Sequence, residues 1–401
     1  MQEISKEQAK RILCRHTAIY SNHSGKKGMN TILKSLGSIQ LDTLPIVGRN
    51  HDLICQARMK DYEVDQFLEF SHGEGWGFEH YDKSLAMIAM DYFPLTYAWM
   101  KMGGDGYYQR REKNLRKKHP QAFNEVLELL RKNEFISSKE IEEDSEAGIG
   151  YIGWKAGKVG VAILDCYWNR GEAFIHHRES YRRFYSLPEK RIAQKYLDAE
   201  KPETEEELSR QLLLRRTNQI GLASKLWQPR HSGKYVNELK KTGDIIEVKI
   251  AGGRQTYLTT DEILDRIDDA DELFDERVRF LAPLDPLIWD RKMTLDIFGF
   301  DYVWEVYKPV KDRVWGYYLL PVFYQNEFLG RMDVQLNRKE NILQIKNGYW
   351  ETNFKPSSSL IENMADELGC FCNYLGTDQV ECTTKDKSWR MVCEQSGMSI
   401  R

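Results

Sequence analysis

SKEQAKRILCRHTAIYSNHSGKKGMNTILKSLGSIQLDTLP, residues 5–45, contains two helix patterns followed by an extended segment. Ser5 and Gln8 have the spacing of a capping box, so the first helix is expected to begin there. Residues 29–36 predict a second helix that ends at Gly37. Residues 38–44 alternate as a short strand would and stop at Pro45. Helix, helix and extended segment are the outline of a winged-helix unit.

A similar outline returns twice along the chain. Residues 123–170 predict further helices, which lead into a strand after Gly171. Residues 204–258 predict two more helices and a hairpin turning around Gly252 and Gly253. Three helix-turn-helix units favour DNA as the partner, although winged helices also serve as protein-interaction modules.

The last part of the chain has a different composition. Residues 278–350 are rich in aromatic and β-branched side chains, which favours a compact antiparallel sheet or barrel. The strands are expected at residues 302–307, 314–324, 328–334 and 343–348, joined by turns at 308–312 and 325–327. A helix over 358–368 and a polar, frayed tail are expected to follow.

The sequence therefore predicts an α+β fold with three tandem winged-helix units and a C-terminal antiparallel β-barrel-like domain. The expected domains are winged-helix 1, winged-helix 2, winged-helix 3 with an acidic linker, and the β-barrel-like domain with its helix and tail, at residues 1–120, 121–197, 198–277 and 278–401.

The net charge of −3 hides an uneven distribution of charge along the 401 residues. Residues 134–146, 198–207 and 261–276 together carry a net charge of −18, and the rest of the chain carries +15. Residues 1–60 alone have ten basic and four acidic side chains. Local basic surface attracts polyanions, whereas the alternative is that these charges are ordinary solvated helix faces.

Seven cysteines without regular spacing indicate a reduced protein inside the cell. His176 and His177 are adjacent on an expected strand and so should point to opposite faces, which disfavours a zinc site. The N-terminus lacks a signal-peptide pattern, and no apolar run reaches 18 residues. We expect a cytoplasmic monomer without a metal or cofactor.

Gln40-Leu41-Asp42 is the sharpest local signal. Side chains two apart on an extended segment project to one side, so the amide and the carboxylate share a face. A carboxylate amid basic residues repels phosphate, which makes it of little use to a protein that only binds DNA. An enzyme that acts beside the phosphate backbone gains from it. The alternative is that Asp42 only caps the turn before Pro45.

Several segments in order along the chain resemble the AlkZ/YcaQ family of winged-helix DNA glycosylases. SLGSIQLDTLPIVGRNHDL (35–53) is similar to the family's Gln-apolar-Asp segment and the Arg-x-His that follows it. FEHY (78–81) is similar to its Phe-Glu-Tyr-Trp segment but departs in the last two positions. The remaining similar segments are GWK (153–155), YRRFY (181–185), FLAPLDPLIWDR (280–291), FGFDY (298–302) and WGYY (315–318).

The resemblance implies three tandem winged helices and a β-barrel that enclose DNA in a basic channel, and hydrolysis of the glycosidic bond of alkylated purines. One branch of the family has Gln-apolar-Gln and is associated with natural-product crosslinks. Asp42 makes this sequence similar to the Gln-apolar-Asp, YcaQ-like branch, which accepts a broader range of alkylated guanines and crosslinks. We assign Asp42 as general base and electrostatic stabiliser and Gln40 as the group that holds the water.

Two sets of basic residues are candidate DNA contacts. Arg49, His51 and Arg58 follow the Gln-Leu-Asp segment, with pairing of the Arg and His to buried Asp52 as the alternative. The second wing carries Arg178, Arg182 and Arg183, and wings commonly touch the phosphate backbone.

Asp285 and Asp290 are interpreted as structural rather than as a catalytic pair. Trp289, Trp304 and Trp315 are expected in the core. Residues 104–119 could form a DNA-contacting loop or an exposed helix. The turns at 308–312 and 325–327 both remain candidates for a hairpin that enters the minor groove.

The main hypothesis is a monofunctional DNA glycosylase that repairs alkylated double-stranded DNA. The alternative is a multi-winged-helix transcriptional regulator without catalysis, which would have no need for Gln40 with Asp42. A third hypothesis is a protein-interaction scaffold. Such a protein would show no salt-dependent DNA binding.

Overall fold

The computed structural model describes residues 2–20, 23–102, 106–142, 149–152, 155–224, 232–253, 255–266 and 276–401. The chain divides into two compact units, one formed by Met1–Phe67 with Leu213–Arg401 and the other by Leu68–Leu212. Two positions of the quoted sequence similarity, Gly153 and Trp154, and the acidic run at 267–275 lie outside the described residues.

The N-terminal part of the first unit begins as the sequence predicts. Ser5 Oγ accepts from Gln8 N at 3.1 Å and Gln8 Oε1 accepts from Ser5 N at 2.9 Å, which confirms the capping box. The second helix ends at Gly37, whose φ of 67° suits glycine. The elements are β1 (Gln2–Ile4), α1 (Lys6–His16), α2 (Gly25–Leu36), β2 (Ser38–Gln40), α3 (Asn50–Gln56) and α4 (Gln66–Gly73), within which the chain enters the second unit.

The second unit combines helices with antiparallel hairpins. Its elements are β3 (Gly77–Tyr81), β4 (Leu85–Ala89), α5 (Phe93–Lys101), α6 (Gly106–Lys118), α7 (Pro120–Lys132), α8 (Lys139–Glu142), β5 (Ile149–Ile152), β6 (Lys155–Lys158), α9 (Val159–Asn169), β7 (Phe174–Glu179), β8 (Arg182–Ser186), α10 (Pro188–Arg191), α11 (Gln194–Leu197) and α12 (Glu205–Ile220). Phe123, Leu130, Ile163 and Trp168 form part of one core between α7 and α9. The basic stretch after residue 105 is helical.

The chain returns to the first unit within α12. The predicted third hairpin is present, and its first strand also pairs in parallel with β1. The remaining elements are α13 (Ser232–Thr242), β9 (Ile246–Ile250), β10 (Thr256–Thr259), α14 (Asp261–Asp265), β11 (Arg279–Phe280), α15 (Arg291–Phe298), β12 (Leu319–Tyr324), β13 (Glu327–Asn337), β14 (Ile342–Trp350), α16 (Ser358–Leu375), β15 (Gln379–Cys382), α17 (Lys387–Gln395) and β16 (Ser399–Ile400).

A curled six-stranded half-barrel dominates the C-terminal part of the first unit, in the order β11-β12-β13-β14-β15-β16. Side chains from α1, the β9–β10 hairpin and the half-barrel share one hydrophobic core, which includes Leu13, Val248, Ile297 and Phe323. The N-terminal helix and the half-barrel are therefore stabilised by the same buried apolar surface.

Three expectations for the half-barrel were wrong. Residues 302–307 are not a strand, because the Glu305 carboxylate accepts backbone N–H groups of residues 314–316 and closes a loop instead. The sheet is antiparallel only through β14, since β15 and β16 add in parallel. The tail is ordered because α17 buries Trp389 and Val392.

Within the described residues, no helix combines the length and the apolar composition needed to cross a membrane.

Candidate active site and nucleic-acid interface

Gln40 and Asp42 lie at the end of β2 with the alternation that the sequence predicts. Ile39 and Leu41 are buried, whereas Gln40 and Asp42 are each half-buried. Asp42 Oδ1 accepts from Leu44 N at 2.9 Å, so the carboxylate also closes the turn before Pro45. The turn therefore orients a partly accessible carboxylate two residues after a partly accessible amide.

Tyr318 is a neighbour of Asp42 that the sequence reasoning did not assign. Burial, the nearby Tyr302 and the negative charge of Asp42 together raise the pKa of the Tyr318 hydroxyl, so it stays a neutral phenol. Its backbone N–H donates to Asp333 Oδ1 at 3.0 Å. Tyr318 belongs to the quoted WGYY segment, but nothing in that segment indicates that it lies near Asp42.

Arg49 and His51 both face the buried Asp52. Arg49 Nε donates to Asp52 Oδ2 at 3.1 Å, and His51 Nε2 lies 3.7 Å from the same oxygen. Tyr62 donates its hydroxyl to the other oxygen, and Arg49 also pairs with Asp65. The geometry favours the alternative in which these side chains hold Asp52 and helix α3.

Arg58 is fully buried and contacts Asp285 through both ends of its guanidinium. Nη1 donates to Oδ2 at 2.7 Å and Nη2 donates to Oδ1 at 3.0 Å. Its Nε donates to the Thr17 carbonyl at 2.6 Å. A side chain enclosed in this way cannot reach phosphate without unfolding its surroundings, which argues against the predicted DNA contact by Arg58.

Asp285 and Asp290 have the structural role that the sequence predicts. Asp285 accepts from Leu287 N at 3.0 Å in addition to Arg58. Asp290 caps α15 by accepting from Lys292 N and Met293 N at 3.1 and 3.2 Å.

The three arginines of the β7–β8 hairpin differ in exposure. Arg178 is 12% exposed and forms a two-bond ion pair with Glu79, with Nε 2.6 Å from Oε1. Arg183 is half-buried, lies 3.7 Å from Asp165 and stacks over Trp168. Arg182 has 39% of its side chain exposed, and its Nη1 lies 3.9 Å from Glu179. Of these three, Arg182 is the side chain that the hairpin presents to solvent.

Glu79 belongs to the quoted FEHY segment and is fully buried. Burial alone would raise the pKa of its carboxyl, but hydrogen bonds and charge from Arg178 and His72 outweigh burial and lower that pKa well below its usual range. His72 Nε2 lies 3.1 Å from Glu79 Oε1. The segment therefore carries a buried, ionised carboxylate that binds the largely covered guanidinium of Arg178.

His176 and His177 do not point to opposite faces as expected. The strand register shifts between Ile175 and His177, and this bulge brings the two Nδ1 atoms within 2.9 Å. Both rings also contact Phe135. Among the residues that the structure describes, no cluster of His, Cys, Asp or Glu has the arrangement of a metal site. All seven cysteines are free thiols.

The two candidate minor-groove turns have different environments. In the 325–327 turn, Asn326 is buried and contacts Tyr20 and Glu7. The turn at 308–312 is exposed, and Tyr307, Val310 and Val314 around it are each at least 70% exposed. The sequence alone could not separate these turns, because both have polar and turn-forming residues.

Glu305 fixes the exposed loop that contains the 308–312 turn. Its side chain is 1% exposed and accepts from Trp315 N at 2.7 Å and Val314 N at 3.0 Å. Burial would raise the pKa of this carboxyl, but bonds from Trp315, Lys308, Val314 and Gly316 lower it to about 2.

The pH dependence of stability should reveal this carboxylate. A lowered folded-state pKa stabilises the fold above the ordinary value of 4.5, and this contribution is lost as the pH falls towards 2. We expect Glu305→Gln to lower the free energy of unfolding at pH 7, and the difference from wild type to shrink between pH 4.5 and 2. Urea unfolding at several pH values measures it, with exposed Glu340→Gln as control. A difference that does not change with pH would contradict the assignment.

Comparison with known proteins shows the family to which this fold belongs. The model of the DNA glycosylase AlkZ-like family matches residues 33–371, and the chain belongs to this family. The match includes the Gln40–Asp42 segment and the half-barrel through most of α16.

The structure of the Streptomyces sahachiroi DNA glycosylase AlkZ is similar to that of this chain. The TM-score is 0.62 at 12% sequence identity, and the similarity covers 96% of this chain and 100% of that one. At this identity the likeness establishes the shared fold.

Proposed function

We propose that this protein hydrolyses the N-glycosidic bond of alkylated purines in double-stranded DNA, with Asp42 and Gln40 as its catalytic residues. The observation that carries the proposal is that both side chains are half-buried and lie two residues apart, at and just after the end of β2, in a chain of the AlkZ-like DNA glycosylase family. A transcriptional regulator without catalysis would have no need for Gln40 together with Asp42.

The chemistry of the substrate explains why one carboxylate is enough. A purine alkylated on a ring nitrogen is a cation, so it leaves as a neutral base and needs no proton from the enzyme. Glycoside hydrolases need a second carboxylic acid because their leaving oxygen must be protonated. The bond from the sugar to the purine breaks, water adds to the anomeric carbon, and Asp42 takes the proton from that water.

Gln40 and Asp42 divide the remaining tasks. The Asp42 charge stabilises the cationic sugar in the transition state, and the Gln40 amide holds the attacking water. No lysine takes part, so we propose a monofunctional enzyme that makes no Schiff base and requires no metal or cofactor. The Gln-apolar-Asp pattern supports activity on several alkylated guanines and the unhooking of interstrand crosslinks. We propose that the protein acts in the cytoplasm as a monomer.

We propose that the helix-and-hairpin modules are winged helices that contact the phosphate backbone. Exposed Arg182 on the β7–β8 hairpin is the best placed of the predicted wing arginines, with Arg183 beside it. Arg49 remains a proposed contact through its position after the catalytic segment, although it faces Asp52. The predicted contact by His51 is not proposed, because its side chain is 3% exposed and lies beside Asp52. The exposed 308–312 turn, rather than 325–327, is the proposed minor-groove element.

The direct test incubates the protein with duplex DNA that carries a single N7-methylguanine and then cleaves abasic sites with hot alkali. We expect strand breaks at the modified base, none in undamaged duplex, and none when alkali is omitted. Breaks without alkali would overturn the monofunctional assignment. If no alkylated or crosslinked duplex is cut, while the protein binds a preferred undamaged sequence, the regulator alternative would replace the glycosylase.

Exposed Arg182 on the β7–β8 hairpin and exposed Lys311 in the 308–312 turn test the proposed DNA contacts. We expect Arg182→Ala and Lys311→Ala each to weaken binding to damaged and undamaged duplex equally, and each to reduce the slope of log K against log salt by about 1. Fluorescence anisotropy over a salt series measures it. Arg401→Ala removes an exposed arginine outside the proposed contacts and should leave the slope unchanged. A slope equal to wild type for either variant would remove that residue from the interface.

A further inference from the structure

Two buried side-chain amides donate hydrogen bonds at the two ends of β2. Gln219, from α12, is buried, and its Nε2 donates to the Leu36 carbonyl at 2.6 Å and to Ser38 Oγ at 3.1 Å. Arg216 Nη1 donates to Gln219 Oε1 at 2.7 Å and so fixes which way the amide faces. Gln219 therefore holds the chain where α2 passes into β2.

Asn50, from α3, contacts the other end of the strand. Its Nδ2 donates to the Gln40 carbonyl at 2.9 Å, and the residue is 2% exposed. Asn50 Oδ1 is buried and has no hydrogen-bond partner among the described residues. The donated bond therefore ties the first residue of α3 to the last residue of β2.

These contacts matter because β2 is short. It has three residues, and the following residues 41–45 belong to no strand. The Gln40 and Asp42 side chains project from this backbone, so its position sets theirs. A displacement of about 1 Å at a reacting group can cost about 100-fold in rate.

We propose that Asn50 and Gln219 are positioning residues that clamp β2 and hold Gln40 and Asp42 in the reactive geometry. The proposal rests on the proposed function, and it adds two residues that touch neither the substrate nor the water. Asn50 acts through the Gln40 backbone, and Gln219 acts through the entry to the strand.

The experiment compares Asn50→Ala and Gln219→Glu with wild type. Glu at 219 keeps the oxygen that accepts from Arg216 and loses both donated bonds. We expect single-turnover excision of N7-methylguanine to fall about 100-fold in Asn50→Ala, with duplex Kd changed less than about two-fold. Hydrogen exchange of residues 38–42 should become faster in both variants. If Asn50→Ala does not fold, Gln219→Glu carries the same test.

A double-variant cycle separates positioning from general destabilisation. In a Gln40→Ala background, Asn50→Ala should slow excision much less than it does alone, because both changes act on one catalytic unit. Asn341→Gly is the matched control, since it removes an asparagine amide that donates to the Gly376 carbonyl at 2.8 Å elsewhere in the unit. Its excision rate should equal that of wild type.

The outcomes distinguish the clamp from the function on which it rests. Unchanged exchange of residues 38–42 in both variants overturns the clamp, whatever the activity. Faster exchange with unchanged excision overturns the positioning role. A wild-type protein that excises no alkylated purine overturns the proposed function, and hydrogen exchange then still decides whether the two amides hold β2.

Discussion

Asp42→Asn should lower single-turnover excision of N7-methylguanine by about 1,000-fold, because it removes both the general base and the charge that stabilises the sugar cation. Asparagine keeps a side-chain oxygen that can accept from Leu44 N, so the turn before Pro45 is preserved. Duplex Kd and the melting temperature should stay near their wild-type values. Gln40→Ala should cost less, about 100-fold, because water can still reach Asp42.

Asp386→Asn is the matched control for this substitution. Asp386 also accepts from a backbone N–H, that of Trp389, at 3.0 Å, so the same change of charge is made at a second capping aspartate. Its excision rate should equal that of wild type. Undiminished excision by Asp42→Asn would remove Asp42 as the catalyst and leave it only the turn-closing role.

Local signals predicted the elements around the site well. The capping box at Ser5 and the stop at Gly37 depend on contacts between residues a few positions apart, which a sequence displays directly. The alternating burial around Gln40 and Asp42 also follows from local pattern. Contacts between residues farther apart in the sequence cannot be predicted from a local pattern. Only the fold brings three such residues to the site: Asn50, Gln219 and Tyr318.

The errors have specific physical causes. Tyr302–Tyr307 has the composition of a strand. The buried Glu305 carboxylate instead accepts the backbone N–H groups of residues 314–316, which a strand would use for pairing. The bulge at His176 reversed the expected alternation of faces. The polar tail folds because Trp389 stacks on Trp350 of β14, with 5.0 Å between the ring centroids. A local sequence pattern does not predict this contact.

Charge counting overstated the basic surface of the N-terminal segment. Arg49 and Arg58 belong to the first 60 residues, yet both are paired with aspartates in the interior or beside it. Arg178 is similarly paired with Glu79. A count of charges cannot tell an internal ion pair from a phosphate contact. Exposure is therefore the better criterion, and it selects Arg182 among the wing arginines.

The ion pair of Arg58 and Asp285 gives the largest expected effect on stability. Both side chains are fully buried, and they share two hydrogen bonds. Asp285→Ala leaves the Arg58 charge in the interior without its partner, so the free energy of unfolding should fall by about 3–5 kcal/mol. Urea unfolding followed by tryptophan fluorescence measures the loss.

Two further variants isolate the buried charge as the cause. Asp290→Ala removes an aspartate of the same segment that caps α15, and it should cost about 1 kcal/mol. Arg58→Met combined with Asp285→Ala removes both charges and should be more stable than Asp285→Ala alone, because no unpaired ion remains inside. If Asp285→Ala costs no more than Asp290→Ala, Arg58 reaches solvent readily, and the case for excluding it from the DNA interface fails.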